Sequence, residues 1–132
     1  MIVVATSAWV ETLRATGSKV DTTLTGLLAG GADLAVTEVV VMELLAGAGS
    51  ERRRRQIRDR LLAFPVLGLD GLRGYEGAAD LWRTCRSAGE TAVGLAHCLV
   101  ALPTIAAGAP LLHDDPGFTG LARHTGLAVY GA

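Results

Sequence analysis

Aromatic side chains, cysteines and unbroken apolar runs are all scarce in this 132-residue sequence. Only 5% of the residues are aromatic although half are apolar, so the core must be built from Leu, Val and Ala. Cys85 and Cys98 are the only cysteines, and no signal peptide precedes Met1. This combination predicts a cytoplasmic protein with reduced thiols.

Long hydrophobic segments and a strong net charge are absent as well. The apolar stretch 34–49 is interrupted by Glu38 and Glu43, so no run reaches the ~18 residues that a membrane span needs. The formal net charge of −1 gives no overall bias toward nucleic acid or membrane. We therefore expect one domain, residues 1–132, with no membrane association.

Short apolar runs alternate with helical patterns along the chain. Strands separated by helices imply a parallel sheet with helices on both faces. The predicted fold is an α/β three-layer sandwich with a four- or five-stranded, mostly parallel sheet. Pro103 should kink or shorten its helix, because an interior proline costs about 3 kcal/mol. Strands are predicted at 2–4, 34–36, 66–69, 111–112 and 127–130, and helices at 7–14, 22–28, 37–46, 50–63, 75–88, 95–107 and 118–124.

The ends of these strands carry most of the candidate chemistry. The carboxyl ends of parallel strands meet at one edge of a sheet, where α/β proteins commonly bind ligands. Several carboxylates at one edge raise each other's pKa unless a cation holds them together. Oxygen-rich sites of that kind suit Mg²⁺ or Mn²⁺. The residues expected at this edge are Ala5, Thr6, Glu43, His97, Asp114 and Asp115.

Four segments resemble, in order and spacing, the motifs of PIN-domain ribonucleases, the VapC-type toxins of VapBC toxin–antitoxin pairs. They read MIVVATSAWVE, TEVVVMELLAGA, AGETAVGLAHCLVA and APLLHDDPGF. The resemblance covers the whole chain and implies a PIN-like fold. It also implies an endoribonuclease that cleaves RNA with a metal-activated water, with Mg²⁺ or Mn²⁺ as cofactor. A cognate VapB-type antitoxin is the implied partner.

The same resemblance assigns four positions to the acids of the catalytic metal site. Glu43 and Asp115 are acids, whereas Ala5 and His97 stand where the family has aspartate. Gly117 stands where many relatives have a further aspartate. The implied function is therefore a Mg²⁺-dependent endoribonuclease that is attenuated or inactive in this chain. The alternative is a catalytically dead PIN domain that binds an antitoxin or RNA.

Several of these residues have a second interpretation. His97 is either a metal ligand, better suited to Zn²⁺, Ni²⁺ or Mn²⁺ than to Mg²⁺, or a hydrogen-bonded structural residue. Asp114 is either a ligand or part of a turn before Pro116. Thr6 is first a helix cap, although the resemblance also places it at the metal edge. Glu43 lies in an apolar stretch, and an acid there should have a partner.

Positive charge is concentrated in one segment. Six of the twelve basic residues fall within positions 52–60. This segment is equally consistent with a solvated helix face and with an RNA-binding surface that uses Arg52 and Arg53, because arginine binds phosphate bidentately. Arg86 is a further candidate RNA contact. A homodimer is expected through apolar helix faces that carry Leu24, Leu27, Leu28, Leu44 and Leu45.

Overall fold

The structure, a computed structural model, describes residues 1–131. Within this range four short strands form a sheet: β1 (Ile2–Val4), β2 (Leu34–Thr37), β3 (Val66–Leu67) and β4 (Leu111–Leu112). They pair in parallel in the order β3-β2-β1-β4. The predicted α/β architecture with a four-stranded parallel sheet is confirmed.

Helices flank this sheet and connect its strands. Ser and Thr residues begin several of them as predicted: Thr37 accepts the N–H of Val40, and Ser50 accepts the N–H of Arg53. None of the helices described within residues 1–131 combines the length and the apolarity that crossing a bilayer requires. The helices are α1 (Thr6–Leu13), α2 (Lys19–Ala29), α3 (Glu38–Ala46), α4 (Glu51–Leu61), α5 (Gly71–Ser87), α6 (Leu95–Ala106) and α7 (Pro116–His124).

The centre of the sheet is completely buried. Val3 and Val4 of β1 and Ala35 of β2 have no exposed surface, as expected for parallel strands covered on both faces. Val3 pairs with Ala35 on one side and with Leu111 on the other. Polar side chains therefore first reach solvent where the strands end. A site built on this sheet is accordingly expected at the strand ends.

The structure departs from the predicted elements at several places. The helices α2 and α5 begin three and four residues earlier than predicted, at Lys19 and Gly71. The expected strand at 127–130 forms only an isolated parallel bridge, between Val129 and Leu111, so a regular fifth strand is absent from residues 1–131. The helix is not shortened at Pro103, since α6 continues to Ala106, while a kink there stays a prediction. Pro103 is buried, and its packing offsets the lost backbone hydrogen bond.

The apolar helix residues assigned to a homodimer face mostly serve the core of the chain itself. Leu24 is fully buried and Leu44 is only 5% exposed. Their partly buried neighbours Leu27, Leu28 and Leu45 pack against the same core. A homodimer stays a prediction, and of the assigned residues only the partly buried Leu27, Leu28 and Leu45 keep surface for it. The large exposed apolar side chains are Met1, Met42, Leu62, Val66, Leu72, Tyr75 and Leu95.

Candidate active site

A cavity of about 380 Å³ lies beyond the carboxyl ends of β1 and β4, and we call it the site cavity. Four of the predicted site residues line it together, although they come from four separate helices or loops. Ser7, which follows Thr6 in α1, also lines it. The lining residues are Thr6, Ser7, Glu43, Ala96, His97, Val100, Asp115 and Phe118.

Glu43 has the partner that its apolar surroundings predicted. The Thr6 hydroxyl donates a hydrogen bond of 2.8 Å to Glu43 Oε1. Thr37 caps α3 directly after β2, and this places Glu43 in the second turn of the helix, beside the start of α1. Thr6 thus orients the carboxylate and uses one of its oxygens.

His97 is held from both sides of its ring. Its Nδ1 accepts the backbone N–H of Gly94 at 2.9 Å, and its Nε2 lies 2.9 Å from Asp115 Oδ2. Because a backbone N–H can only donate, Nδ1 carries no proton, and Nε2–H donates to Asp115. This tautomer is assigned from the hydrogen-bond network. Neither ring nitrogen keeps a free lone pair with which to bind a metal.

Asp115 accepts hydrogen bonds with both of its carboxylate oxygens. Oδ1 accepts the N–H of Gly117 at 2.9 Å, which caps α7, while Oδ2 accepts from His97. Burial pushes the pKa of Asp115 upward, but these hydrogen bonds outweigh it and hold the pKa below its ordinary value. Asp115 is therefore an ionised helix cap whose charge is met by protein donors.

Gly117 lies directly against the His97 ring, where there is no room for a side chain. A Cβ added at Gly117 would overlap the imidazole, at 2.7 Å from Cδ2 and closer still to Cε1 and Nε2. The ring also packs edge-on against Phe118, with 4.9 Å between ring centroids. A side chain at position 117 would therefore require the His97 ring to leave this position.

Ala5 lies below the site cavity rather than on its surface. It directly follows β1, and its N–H donates to the carbonyl of Leu112 at 3.0 Å. Its methyl group is only 1% exposed. Position 5 thus offers no ligand, and an acid placed there would begin from a buried position.

These residues do not fit the divalent metal that the resemblance implies. Mg²⁺ is held by oxygen ligands, among them carboxylates, but Ala5 supplies none, and both nitrogens of His97 are engaged. Among residues 1–131, no three His, Cys, Asp or Glu side chains are grouped closely enough to hold a metal ion.

The other predicted site residues lie outside the site cavity. Asp114 is exposed, and its backbone N–H donates to Ser7 Oγ at 2.9 Å, so the loop is held by its backbone while a ligand role for the carboxylate stays a prediction. The Arg86 guanidinium lies 4.8 Å from the ring centroid of Trp82. Arg52 and Arg53 are exposed on α4.

Comparison with known proteins first establishes the class. Two solved structures share the fold: VapBC2 from Rickettsia felis, bound to a DNA fragment from the promoter, and FitAcB from Neisseria gonorrhoeae. The VapBC2 structure has a TM-score of 0.74 and 19% sequence identity, and covers 98% of this chain. The FitAcB structure has a TM-score of 0.67 and 16% sequence identity, and covers 99% of this chain. In both cases the match covers 97% of the neighbour's chain. The chain is thus a PIN-like α/β domain with an acidic cavity at its strand ends.

The sequence comparison then gives the family. The chain is 37% identical over 128 residues to a VapC ribonuclease of Mycobacterium bovis and to Ribonuclease VapC11 of Mycobacterium tuberculosis, covering 96% of each chain. No family model matches the sequence. The chain belongs to the VapC ribonuclease family, which confirms the resemblance carried by the four motifs and supports nuclease activity by family membership.

Proposed function

We propose that this protein is the toxin of a VapBC-type pair and that its metal-dependent RNA cleavage is attenuated. The observation that carries the proposal is the engagement of both His97 nitrogens, one by Gly94 and one by Asp115. Together with Ala5, this leaves two of the four positions that the resemblance assigns to acids without a ligand.

The size of the loss follows from what a catalytic metal contributes. In nucleases of this kind a bound Mg²⁺ or Mn²⁺ supplies an activated water and several kcal/mol of charge stabilisation. Since each 1.36 kcal/mol is a factor of ten in rate, losing two ligands should reduce cleavage by about a thousandfold or more. Glu43 and Asp115 alone supply only two of the four acids that the resemblance assigns to the metal site.

Antitoxin binding is the function that the remaining residues support directly. Glu43 Oε1 is held by Thr6, while no partner for Oε2 is found among the described residues. An exposed carboxylate of this kind accepts a cationic side chain well, and charge-assisted hydrogen bonds contribute about 1.5–3 kcal/mol. We therefore expect a cognate VapB-type antitoxin that presents an arginine, or an apolar helix with one, to the site cavity.

The second candidate is a PIN domain that binds antitoxin or RNA without any cleavage. One observation favours it: the part-buried polar groups around Asp115 hydrogen-bond to one another, through His97, Gly94 and Gly117. A site that is complete in this way is stable without a metal. The two candidates differ only in residual activity.

An RNA cleavage assay separates them and tests the proposal. The proteins are the parent chain, Ala5→Asp, His97→Asp and the double variant, each with Mg²⁺, Mn²⁺ or a chelator. The parent should cut slowly or not at all, and the double variant should recover more than either single variant, because ligands of one site act as a unit. Strong, chelator-sensitive cutting by the parent would contradict attenuation. A folded but inert double variant would show that positions 5 and 97 do not belong to a metal site.

A homodimer is part of the proposal, with its interface moved to the exposed apolar side chains Met42 and Tyr75, which line one pocket. Exposed apolar groups in one region are typical of association surfaces. Light scattering that shows only monomer at micromolar concentration would contradict it, and so would a Tyr75→Glu variant that dimerises as well as the parent.

A further inference from the structure

A second groove adjoins the site cavity. It has a volume of about 250 Å³ and runs between α1, the loop after α3, and α4. Thr6 and Glu43 line both the groove and the site cavity, so the two spaces meet at these side chains. We name it the arginine groove, after Arg14 and Arg53, which line it.

We propose that the arginine groove binds the phosphate backbone of single-stranded RNA and leads it into the site cavity. The inference rests on the proposed function for the identity of the ligand. It adds Arg14, which carried no prediction from the sequence, and it gives Arg53 a defined place. It also distinguishes Arg53, which lines the groove, from the other arginines of α4, which do not.

The two arginines are exposed and free to bind an anion. Arg14 follows the last residue of α1, and Arg53 lies in the first turn of α4, so the charges come from two different helices that border the groove. Among the described residues neither has a carboxylate within 4.0 Å, whereas Arg54 pairs with Glu51 at 3.7 Å. Two guanidinium groups beside one groove complement the charge of phosphates, which they bind bidentately.

The walls of the groove suit a backbone rather than a stacked base. Gly47, Ala48 and Gly49 line it without bulky side chains, and a Cβ at Gly49 would meet nothing within 4 Å. Leu13 and Ile57 supply apolar surface. No aromatic side chain is found among the lining residues described, so the base stacking typical of many single-strand binders is not expected.

Family membership favours RNA over an acidic protein segment as the occupant of the groove. The inner end of the groove is formed by Glu43 and Thr6, which also line the site cavity. Any polyanion would gain from the arginines and would meet the carboxylates of Glu43 and Asp115, so the choice of RNA rests on the proposed ribonuclease function. An RNA backbone that follows the groove would present its next phosphodiester at these carboxylates.

Fluorescence anisotropy with a labelled single-stranded RNA of mixed sequence tests this, in EDTA so that no cleavage occurs. The proteins are the full chain, Arg14→Ala, Arg53→Ala, their double variant and Arg55→Ala. Arg55 is the matched control, since it loses the same charge from α4 but lies two residues, about 200°, away from the groove residue Ile57. Each groove variant should weaken binding about tenfold, the value of one charge-assisted hydrogen bond. The log–log slope of affinity against salt concentration should become shallower by about 0.7 for each groove arginine removed.

Three results would overturn the inference. Equal losses in Arg14→Ala, Arg53→Ala and Arg55→Ala would show a general charge effect with no groove. Groove variants that keep their RNA affinity but lose affinity for a poly-glutamate probe would assign the groove to an acidic protein segment. No RNA binding by the parent chain would also reject it, while attenuation would still be judged by the cleavage assay, whose variants differ only at positions 5 and 97 and keep both arginines.

Discussion

His97 Nε2 lies 2.9 Å from Asp115 Oδ2, and the opposite ring nitrogen is fixed by the N–H of Gly94. The family resemblance assigns Asp115 to a metal, but in this chain a neutral imidazole donates to it. The hydrogen bond satisfies the carboxylate without supplying a full positive charge. The pair therefore explains both how the site folds without a cation and why a cation has little to bind.

The first prediction concerns the fit between His97 and Gly117. Gly117→Ala should destabilise the protein by about 1–3 kcal/mol, because its Cβ overlaps the ring. His97→Ala should also destabilise, since Asp115 loses a donor. The double variant should lose less than the sum of the two, as expected for residues that touch each other. Thermal or urea unfolding of all four proteins measures this.

Gly26→Ala is the matched control for that cycle. Gly26 lies within α2, and a Cβ there meets nothing within 4 Å. This variant should be stabilised by up to about 1 kcal/mol, since glycine in a helix interior is costly. Strictly additive losses at positions 97 and 117 would contradict the proposed fit.

The second prediction concerns position 5. Ala5→Asp should destabilise the protein strongly in a chelator, because an ionised carboxylate at a site only 1% exposed costs several kcal/mol. Mn²⁺ should restore part of this loss in Ala5→Asp/His97→Asp, but little in Ala5→Asp alone. Ala5→Asn, with nearly the same shape and no charge, is the control for steric strain. Equal stability of the Asp and Asn variants in chelator would contradict a buried charge.

The third prediction concerns partner binding through Glu43. Glu43→Gln should weaken binding of the cognate antitoxin about tenfold, since a charge-assisted hydrogen bond becomes a neutral one. Glu38→Gln is the control, because Glu38 is exposed on the same helix five residues earlier and does not line the site cavity. Calorimetric titration measures both affinities. An unchanged affinity for Glu43→Gln would place recognition elsewhere.

The fourth prediction is a pH dependence at Glu90, which links the segment after α5 to α7. Arg123 donates to Glu90 at 3.1 Å and His124 lies at the same distance. These hydrogen bonds, that of Arg123 first, lower the pKa of Glu90 from its ordinary value of 4.5. A lowered pKa stabilises the fold above the ordinary value, and that contribution is lost as pH falls through the lowered pKa.

The measurement is urea unfolding of the parent and Glu90→Gln between pH 7 and strongly acidic pH. The parent should be more stable near neutrality, and the difference should shrink as the pH falls below about 4.5. Glu76→Gln, at an exposed glutamate of α5, should show no such trend. A Glu90→Gln difference that persists at acidic pH would mean that its origin is not the carboxylate charge.

Local signals in the sequence predicted most of the fold. The apolar run that forms β1 and the caps Thr37 and Ser50 act over a few residues, so they can be read directly. The cap of α2 by Ser18 was missed because the helix pattern begins only after it. The prediction of a last strand at 127–130 was wrong, because the apolar pattern of this segment is the same whether or not a neighbouring strand pairs with it regularly.

The site was predictable as a set of positions but not as a set of bonds. The hydrogen bond of Thr6 to Glu43 spans 37 residues, and that between Ser7 and the N–H of Asp114 spans 107. Nothing local indicates such pairs. The tautomer of His97 depends on the N–H of Gly94, and the space at Gly117 depends on a ring from another helix. Only the folded chain brings these groups together.

The fit between His97 and Gly117 also restricts the evolutionary paths open to this chain. An aspartate gained first at position 117 would collide with the ring. Loss of His97 first would leave the Asp115 carboxylate short of a donor, and no cation would yet be bound in its place. A first substitution toward a four-acid site, whether at position 5 or at position 97, thus gives a less stable protein. Epistasis of this kind makes acids at these positions difficult to gain one at a time, whatever selection acts on the activity.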